Sequence, residues 1–405
     1  MADGVALERE FNGGVLDSPT GRLLAPRSES LYESSLLSTP PSSIAGQSVE
    51  LSTHASIGAL PEDALSVMQS NASANPFVSD FWCTAFERWL IPRHAVPCYV
   101  TIRHGGEVSC VLPLLHRRLP LGWSYKLTSL VNFYTGFFDC ALTDPAQDEA
   151  IHSALARGLG QWVARHGLRS ALCEFWPLEE KTDFWNILLS TCASLGCDVR
   201  RFESQINWHE SVAGMNYQDY LAGRPGHLRA LIPRKQRKLE RDLGFQIELI
   251  SDSAGLSAAM RDFEKVYALS WKGEELSPEF IREICSELAN RHQLRLAVLR
   301  IGAGVPAAAQ IWIKAASRWC LFKLAYDPAF TRYSVGTLLM AHIIEHFLLN
   351  DPPETLDFLS GDDAYKQDWV GTRGIRWGVE VIRKRSALGR VAALKRQFRN
   401  RDGHA

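Results

Sequence analysis

The same order of elements occurs twice along this chain, and that repetition limits the fold more than any single motif does. In the first half CYVTIR (98–103) turns at Gly105-Gly106 into VSCVLPLL, followed by SYKLTSLV. A helix predicted over 148–165 and the strand LRSALCEFW complete the set. In the second half LRLAVLRI (294–301) turns at Gly302-Ala-Gly304 into PAAAQIWIKA, followed by WCLFKLAY. A helix predicted over 332–349 and the strand TLDFLS close it. Both halves read strand, tight turn, strand, strand, helix, strand. Two similar α/β (α+β) units in tandem explain this most economically, with mixed sheets flanked by helices. A length of 405 residues admits two or three domains.

The flanks differ from the repeated part. Residues 1–75 hold few aromatics, and the stretch 28–52 has nine serines and Pro40-Pro41. Such a segment buries too little apolar surface to offset the ordering of its backbone, which predicts a disordered leader. From Pro76 the texture changes: Phe77, Phe81, Trp82, Phe86 and Trp89 fall on or near one helical face. The expected division is a leader over 1–75, a first unit over 76–210, a second over 211–382 and a tail over 383–405.

Composition excludes several classes. Hydrophobic residues make 46% and charged residues 22%, so neither wholesale disorder nor a polytopic membrane protein fits. The longest apolar stretch, 337–349, is interrupted by His342, Glu345 and His346, which predicts no spanning helix. The opening MADGVALEREF lacks a basic region followed by an apolar one, so no export signal is expected. Nine cysteines without a C-x-x-C pair sit mostly in apolar stretches and read as buried thiols of a reducing, cytoplasmic setting.

The net charge of −1 conceals two basic elements. Residues 224–243 carry +5 and residues 383–401 carry +8, leaving −14 on the remainder. Pro233 and Gly244 bracket a predicted helix over 233–243. Its apolar stripe is Leu228, Ile232, Leu239 and Leu243, and Arg234, Lys235, Arg237, Lys238 and Arg241 occupy its other faces. In the tail, Ala387, Val391, Leu394 and Phe398 form a narrow apolar stripe among basic residues. That pattern suits a helix lying on an anionic membrane surface, or one docked on the acidic body.

The stretch 319–369 is the most informative for chemistry. A strand ending in Tyr326-Asp327-Pro328 leads through TRYSVGT (331–337) into an amphipathic helix. Free amides and the positive end of a helix dipole at such a junction make an anion site, and Gly336 lets a phosphate approach the backbone. A pyrophosphate-bearing co-substrate is the natural guest; the alternative is an ordinary turn glycine. His342-Ile-Ile-Glu345-His346 spells a zinc-hydrolase pattern, but it lies inside that same helix, and no metal is expected.

Residues 227–369 resemble the GNAT-type acyltransferase domain described as BioF-like and found in CelD-type proteins associated with bacterial cellulose biosynthesis. The resemblance rests on PRKQRKLERD (233–242), SWK (270–272), YDP (326–328), RYSVGTLL (332–339) and DFLSGDDAYKQDW (357–369), in that order. The tandem plan is similar to the Fem family of peptidyl transferases, which use aminoacyl-tRNA. The resemblance implies a degenerate first unit and a second unit that binds acetyl-CoA or another acyl-CoA. It implies transfer to an amine or hydroxyl of a small-molecule or saccharide-related acceptor. The superfamily's Q/R-x-x-G-x-G/A loop aligns with Arg332, Tyr333, Ser334, Val335, Gly336 and Thr337 as the coenzyme-binding residues. Thr331 stands for the leading residue and Ser334 for the first glycine.

Acyl transfer from a thioester to an amine needs a neutral nucleophile, a polarised carbonyl and a proton for the departing thiolate. Related enzymes often use a tyrosine after the fifth strand as the acid, which implies Tyr365, with Asp362 or Asp363 to accept the amine proton. Asp362 can equally cap a helix, and Tyr365 and Trp369 can pack as an i,i+4 pair. Trp271 with Lys272, Lys366 with Trp369, and Arg234 with Lys238 are the candidate substrate contacts. For Trp271 the competing reading is core packing, and for Lys366 a solvated helix position. A Fem-type transferase contacting tRNA through the basic helix is the second reading, and a non-catalytic RNA- or membrane-binding protein the third. Nucleic acid is expected only under those two.

Overall fold

The computed structural model describes residues 42–44, 47–118, 125–143, 170–194 and 197–383. They gather into two compact units. The first contains the described residues up to Met68, Pro92–Phe202 and those from Gly378; the second contains Gln69–Ile91 and Glu203–Trp377.

In the first unit the strand order is β1 (Ser42–Ile44), β2 (Gln47–His54), β3 (Ala95–His104), β4 (Glu107–Arg118), β5 (Tyr125–Ser129) and β7 (Ser170–Leu178), with the short β6 (Ala141–Leu142) beside β4. Gly105 and Gly106 take φ of 62° and 92°, the left-handed pair that a tight β3–β4 hairpin requires. β1–β2, β2–β3, β3–β4, β4–β5 and β4–β6 pair antiparallel, whereas β5 and β7 run parallel from Tyr125/Ser170 to Thr128/Glu174. Beyond Ser129 the chain itself fills the space beside β7. Phe138 N–H donates to Pro177 O at 2.7 Å, and Phe138 bridges Leu178 in parallel. The rings of Phe138 and Phe175 meet Phe184 edge-on at 5.9 and 5.6 Å. Phe184 belongs to α3 (Asp183–Ser194).

The second unit repeats the plan. Its strand order is β14 (Thr372–Arg383), β8 (Cys197–Ser211), β13 (Thr355–Ser360), β12 (Arg318–Tyr326), β11 (Val305–Ala315), β10 (Leu294–Ile301) and β9 (Phe245–Ile250). The β10–β11 hairpin turns at Gly302 and Gly304, and β12 and β13 form the parallel pair. The crossover between them is α8 (Val335–Asn350), whose Leu339, Ile343 and Phe347 are buried. Phe347 stacks on Trp319 at 4.5 Å and meets Trp312 edge-on, so burial, more than helix propensity, holds α8 in place. Leu228, Ile232 and Leu239 of α5 (Gly226–Asp242) join this core.

The structure corrects four expectations. Order begins well before Pro76: β2 pairs with β3 from Val49/His104 to His54/Tyr99, and α1 (Glu62–Asn71) follows. Ser52, opposite Thr101 in this ladder, needs no apolar partner, because the ladder satisfies the strand backbone while Leu51 is buried; residues 1–41 of the expected leader lie outside the described residues. The aromatic helix α2 (Asp80–Trp89) belongs to the second unit, where Trp82 meets Phe280 of α7 (Pro278–Asn290) and Phe322 of β12 edge-on at 5.2 and 5.9 Å. The basic helix starts at Gly226, so Pro233 lies inside it, and Leu243 is exposed at its end. The last strand, β14, runs past residue 377 into the first unit's range. The predicted helix 148–165 and the tail from 384 lie outside the described residues.

Candidate functional site

The geometry starts from the parallel pair of the second unit. β12 and β13 are paired only over Arg318/Thr355, Trp319/Leu356 and Cys320/Asp357. Past that point β12 runs on to Tyr326 with no strand partner on the β13 side among the described residues, so the two strands part. Both strands are irregular where they part. Ile311 and Trp312 of β11 lie opposite Lys323 and Leu321, which makes Phe322 an extra residue in β12. On β13, Asp357 and Ser360 lie opposite His209 and Asn207, again one residue too many. Such bulges free backbone groups and re-aim side chains.

The loop–helix junction follows directly from β12. Asp327 accepts the Ala329 N–H at 2.9 Å and caps a 3-10 turn, Pro328–Tyr333. Ser334 then adopts the left-handed conformation, φ 56° and ψ 43°, and α8 begins. Ser334 makes no side-chain cap bond, so the first-turn amides of α8 keep their donors for another acceptor. Gly336 serves packing: a β-carbon there would lie 3.2 Å from Cδ1 of Tyr326. Tyr326 in turn leans on Trp271, ring centroids 4.8 Å apart. Trp271 is 53% exposed, so the core-packing reading of that tryptophan fails. Lys272 Nζ lies 5.8 Å from its ring.

The basic helix comes to this same junction. Lys235 Nζ donates to the carbonyl of Arg332 at 2.5 Å, and Lys238 Nζ lies 5.4 Å from the Tyr333 ring. The Arg332 guanidinium covers that ring at 4.7 Å and donates to the Tyr333 hydroxyl at 2.8 Å. Tyr333 is buried, so it is the mount for the Lys238 and Arg332 cations rather than a side chain presented to a ligand. Val335 is likewise in the core, leaving only its backbone for a ligand, while Thr337 is half-buried. Arg234 is exposed one turn before Lys238. Lys235 and Tyr326 lie in the PRKQRKLERD and YDP motifs but are not among the expected site residues; the fold brings both to this junction.

The segment after β13 departs most from expectation. Asp362 accepts from Trp208 Nε1 at 2.8 Å and pairs with Arg373 through Nε at 3.1 Å and Nη2 at 2.8 Å. The Arg373 hydrogen bonds, with that of Trp208, hold its carboxyl below the usual carboxylate range. Tyr365 is half-buried against Phe358, 6.5 Å between rings, and burial raises its phenol far above the ordinary value. Lys366 is not a solvated substrate ligand: it is 3% exposed and its ammonium donates to the carbonyls of Phe358 and Ser360 at 2.9 and 2.6 Å. Trp369 is also interior, 4% exposed, and its carbonyl accepts from Tyr220 Oη and Arg224 Nη1. The aromatic face assigned to substrate is therefore core.

Asp357, which opens the DFLSGDDAYKQDW motif, has a setting that the sequence does not disclose. Its carboxylate, 2% exposed, accepts from Asn207 Nδ2 at 3.2 Å, Leu359 N–H at 2.8 Å and Arg376 Nη2 at 2.6 Å. His342 and His346 lie on α8, and burial lowers both. Among the described residues no three His, Cys, Asp or Glu side chains gather as metal ligands.

Residues 226–367 match the family model described as Acetyltransferase (GNAT) domain, beginning at the first residue of α5 and ending two residues into α9 (Lys366–Trp369). The crystal structure of FemX is similar in fold, with TM-score 0.53 and 11% identity over 79% of this chain and 95% of that one. A tandem GNAT protein from the clavulanic acid biosynthesis pathway gives TM-score 0.41 and 12% identity over 82% and 98%. The C-terminal domain of a putative lysylphosphatidylglycerol synthetase from Agrobacterium fabrum gives 0.45 and 15% over 67% and 81%. A search of curated proteins returns no match. The domain match, with a mixed sheet flanked by helices, supports an acyltransferase.

Proposed function

We propose that the second unit transfers an acyl group from acetyl-CoA or another acyl-CoA to an amine or hydroxyl of a saccharide-related acceptor. The observation that carries this reading is the convergence, where β12 and β13 part, of uncapped α8 amides with Lys235, Lys238 and Arg332. A polyphosphate fits such a donor set, since backbone amides approach it closely and flanking cations balance its charge. The co-substrate supplies the activated thioester. Val335, Gly336 and Thr337 offer backbone amides to its pyrophosphate, and Lys238, Arg332 and Arg234 offer charge. Trp271, exposed beside Tyr326, and Lys272 form the wall suited to an acceptor ring. Tyr365, on the segment that follows β13, is the assigned proton donor to the leaving thiolate; its phenol is protonated at neutral pH, and the burial that raises it makes it the weaker acid. Asp362, already bound by Trp208 and Arg373, is suited to hold those groups in place and not to take a proton. The saccharide acceptor and a placement at an anionic membrane surface through the 383–405 tail rest on sequence alone.

The test is calorimetric titration of the full chain with acetyl-CoA and, in parallel, with aminoacyl-tRNA. Saturable acetyl-CoA binding that weakens at least tenfold in Lys235→Ala/Lys238→Ala supports the reading. Salt-sensitive tRNA binding without acetyl-CoA binding replaces it with the Fem-type transfer. Loss of neither ligand in the double variant removes the basic helix from the site.

A further inference from the structure

Between Asp357 and Ser360 β13 takes three steps while β8, from His209 to Asn207, takes two. Leu359 has the left-handed φ of 49°, and Gly361 follows at 110°. A bulge leaves amide and carbonyl groups that the neighbouring strand no longer pairs, and buried groups of that kind need other partners. Here two charges of opposite sign supply them. The Asp357 carboxylate takes the Leu359 N–H, and the Lys366 ammonium takes the carbonyls of Phe358 and Ser360. Each charge also has a counter-ion: Arg376 at 2.6 Å from Asp357, and Asp363 at 3.7 Å from Lys366. A β-carbon on Gly361 would lie 3.1 Å from Asp363 Oδ2 and 3.3 Å from Lys366 Nζ, so the glycine leaves room for that ion pair.

Burying a charge is costly unless it is paired and fully hydrogen-bonded, and apolar side chains of similar size usually stabilise a core as well or better. Two such charges on one bulge make most sense as a geometric device. We propose that Asp357 and Lys366 are positioning residues which together fix the bulged end of β13, and so set the wall that faces β12 where the two strands part. Neither presents its charge to a ligand; both act through the backbone of residues 358–360. The inference rests on the reading that the acyl donor binds where the strands part, and it assigns that wall a fixed shape before the donor arrives.

Hydrogen–deuterium exchange of the ligand-free full chain tests the device apart from the function. Lys366→Met removes the donors, Lys366→Gln retains an NH2 group with two, and Asp357→Asn keeps an acceptor for the Leu359 N–H while removing the charge. Exchange of residues 357–361 should quicken at least tenfold in Lys366→Met and less in Lys366→Gln, with the β10–β11 hairpin unchanged. Acetyl-CoA affinity should fall at least tenfold in Lys366→Met and partly recover in Lys366→Gln. If Lys366→Met does not fold, Asp357→Asn must show a local loss of protection over the same residues. Wild-type exchange over 357–361 in a folded Lys366→Met or Asp357→Asn variant overturns the proposal. Should the wild-type chain bind no acetyl-CoA, the functional reading fails while the exchange experiment still decides the role of the pair.

Discussion

Replacing Gly336 separates packing from ligand approach. A β-carbon there meets Tyr326 Cδ1 at 3.2 Å, Cγ at 3.6 Å and Cβ at 3.7 Å. Ordinary carbon contacts begin near ~3.5 Å, so the ring must retreat by about 0.3 Å. It can do so, because Tyr326 is half-buried and the Trp271 ring behind it is exposed. Gly336→Ala also gains helix propensity worth up to ~1 kcal/mol, so its net effect on stability should be within about 1 kcal/mol of zero. Gly336→Val adds two γ-methyls against the same ring, and overpacking of this kind costs roughly 1–3 kcal/mol. Thermal and denaturant unfolding should therefore place Ala close to wild type and Val below it, by about 2–4 °C per kcal/mol for a unit of this size. Val should also weaken acetyl-CoA binding about tenfold, roughly 1.4 kcal/mol, by displacing Tyr326 and Trp271. Tyr326→Ala in the Val background should recover most of the lost stability, since the two positions are in contact and so coupled. An Ala variant destabilised by more than about 2 kcal/mol, or a Val variant of unchanged affinity, refutes the account.

Ser334→Gly should raise stability by about 0.5–1 kcal/mol in the same assays, because glycine removes the left-handed strain of φ 56° at some cost in unfolded-chain entropy. Tyr365→Phe should lower turnover more than acetyl-CoA affinity; an unchanged rate per folded molecule rejects the acid role. Ellman's reagent should find almost no fast thiol in the native chain and nine after denaturation, since all nine cysteines are buried and burial pushes Cys98, Cys192 and Cys285 up to about 12. Alkaline stability follows from three tyrosines, Tyr217, Tyr220 and Tyr365, whose phenols burial raises, Tyr217 to about 12. Above pH ~10 the unfolded chain sheds these protons while the folded chain keeps them, so stability falls with further rise in pH. Flat stability between pH 10 and 12 would contradict that assignment.

The β3–β4 and β10–β11 hairpins were readable because each turns at glycines between short apolar runs, both local signals. The α8 junction was readable for the same reason. What sequence did not disclose is decided between distant residues. Asp357 owes its role to Asn207 and Arg376, and Lys366 to carbonyls that a bulge has freed. A lysine in a polar run reads as solvated because most lysines are. Pro233 resembled a helix start, yet the helix begins at Gly226, because Leu228 and Ile232 are buried against α8 and the turn that carries them forms with the rest. The end of the serine-rich stretch, residues 49–52, reads as part of the leader because composition measures side-chain burial and not the pairing of β2 with β3.

The assignment of Gln69–Ile91 to the second unit governs how the chain can be made. Trp82 leaves the ribosome about 200 residues before Phe280 and about 240 before Phe322, rings that meet it edge-on. The helix Asp80–Trp89 must therefore wait, its apolar face uncovered, while the whole β3–β8 segment is synthesised. The first unit waits in its turn for β14, whose Glu380 pairs with Arg200 at 3.7 Å. Neither unit is complete until the last strand emerges, so translation arrested anywhere between residues 91 and 378 should yield a chain that depends on chaperones and is open to proteolysis.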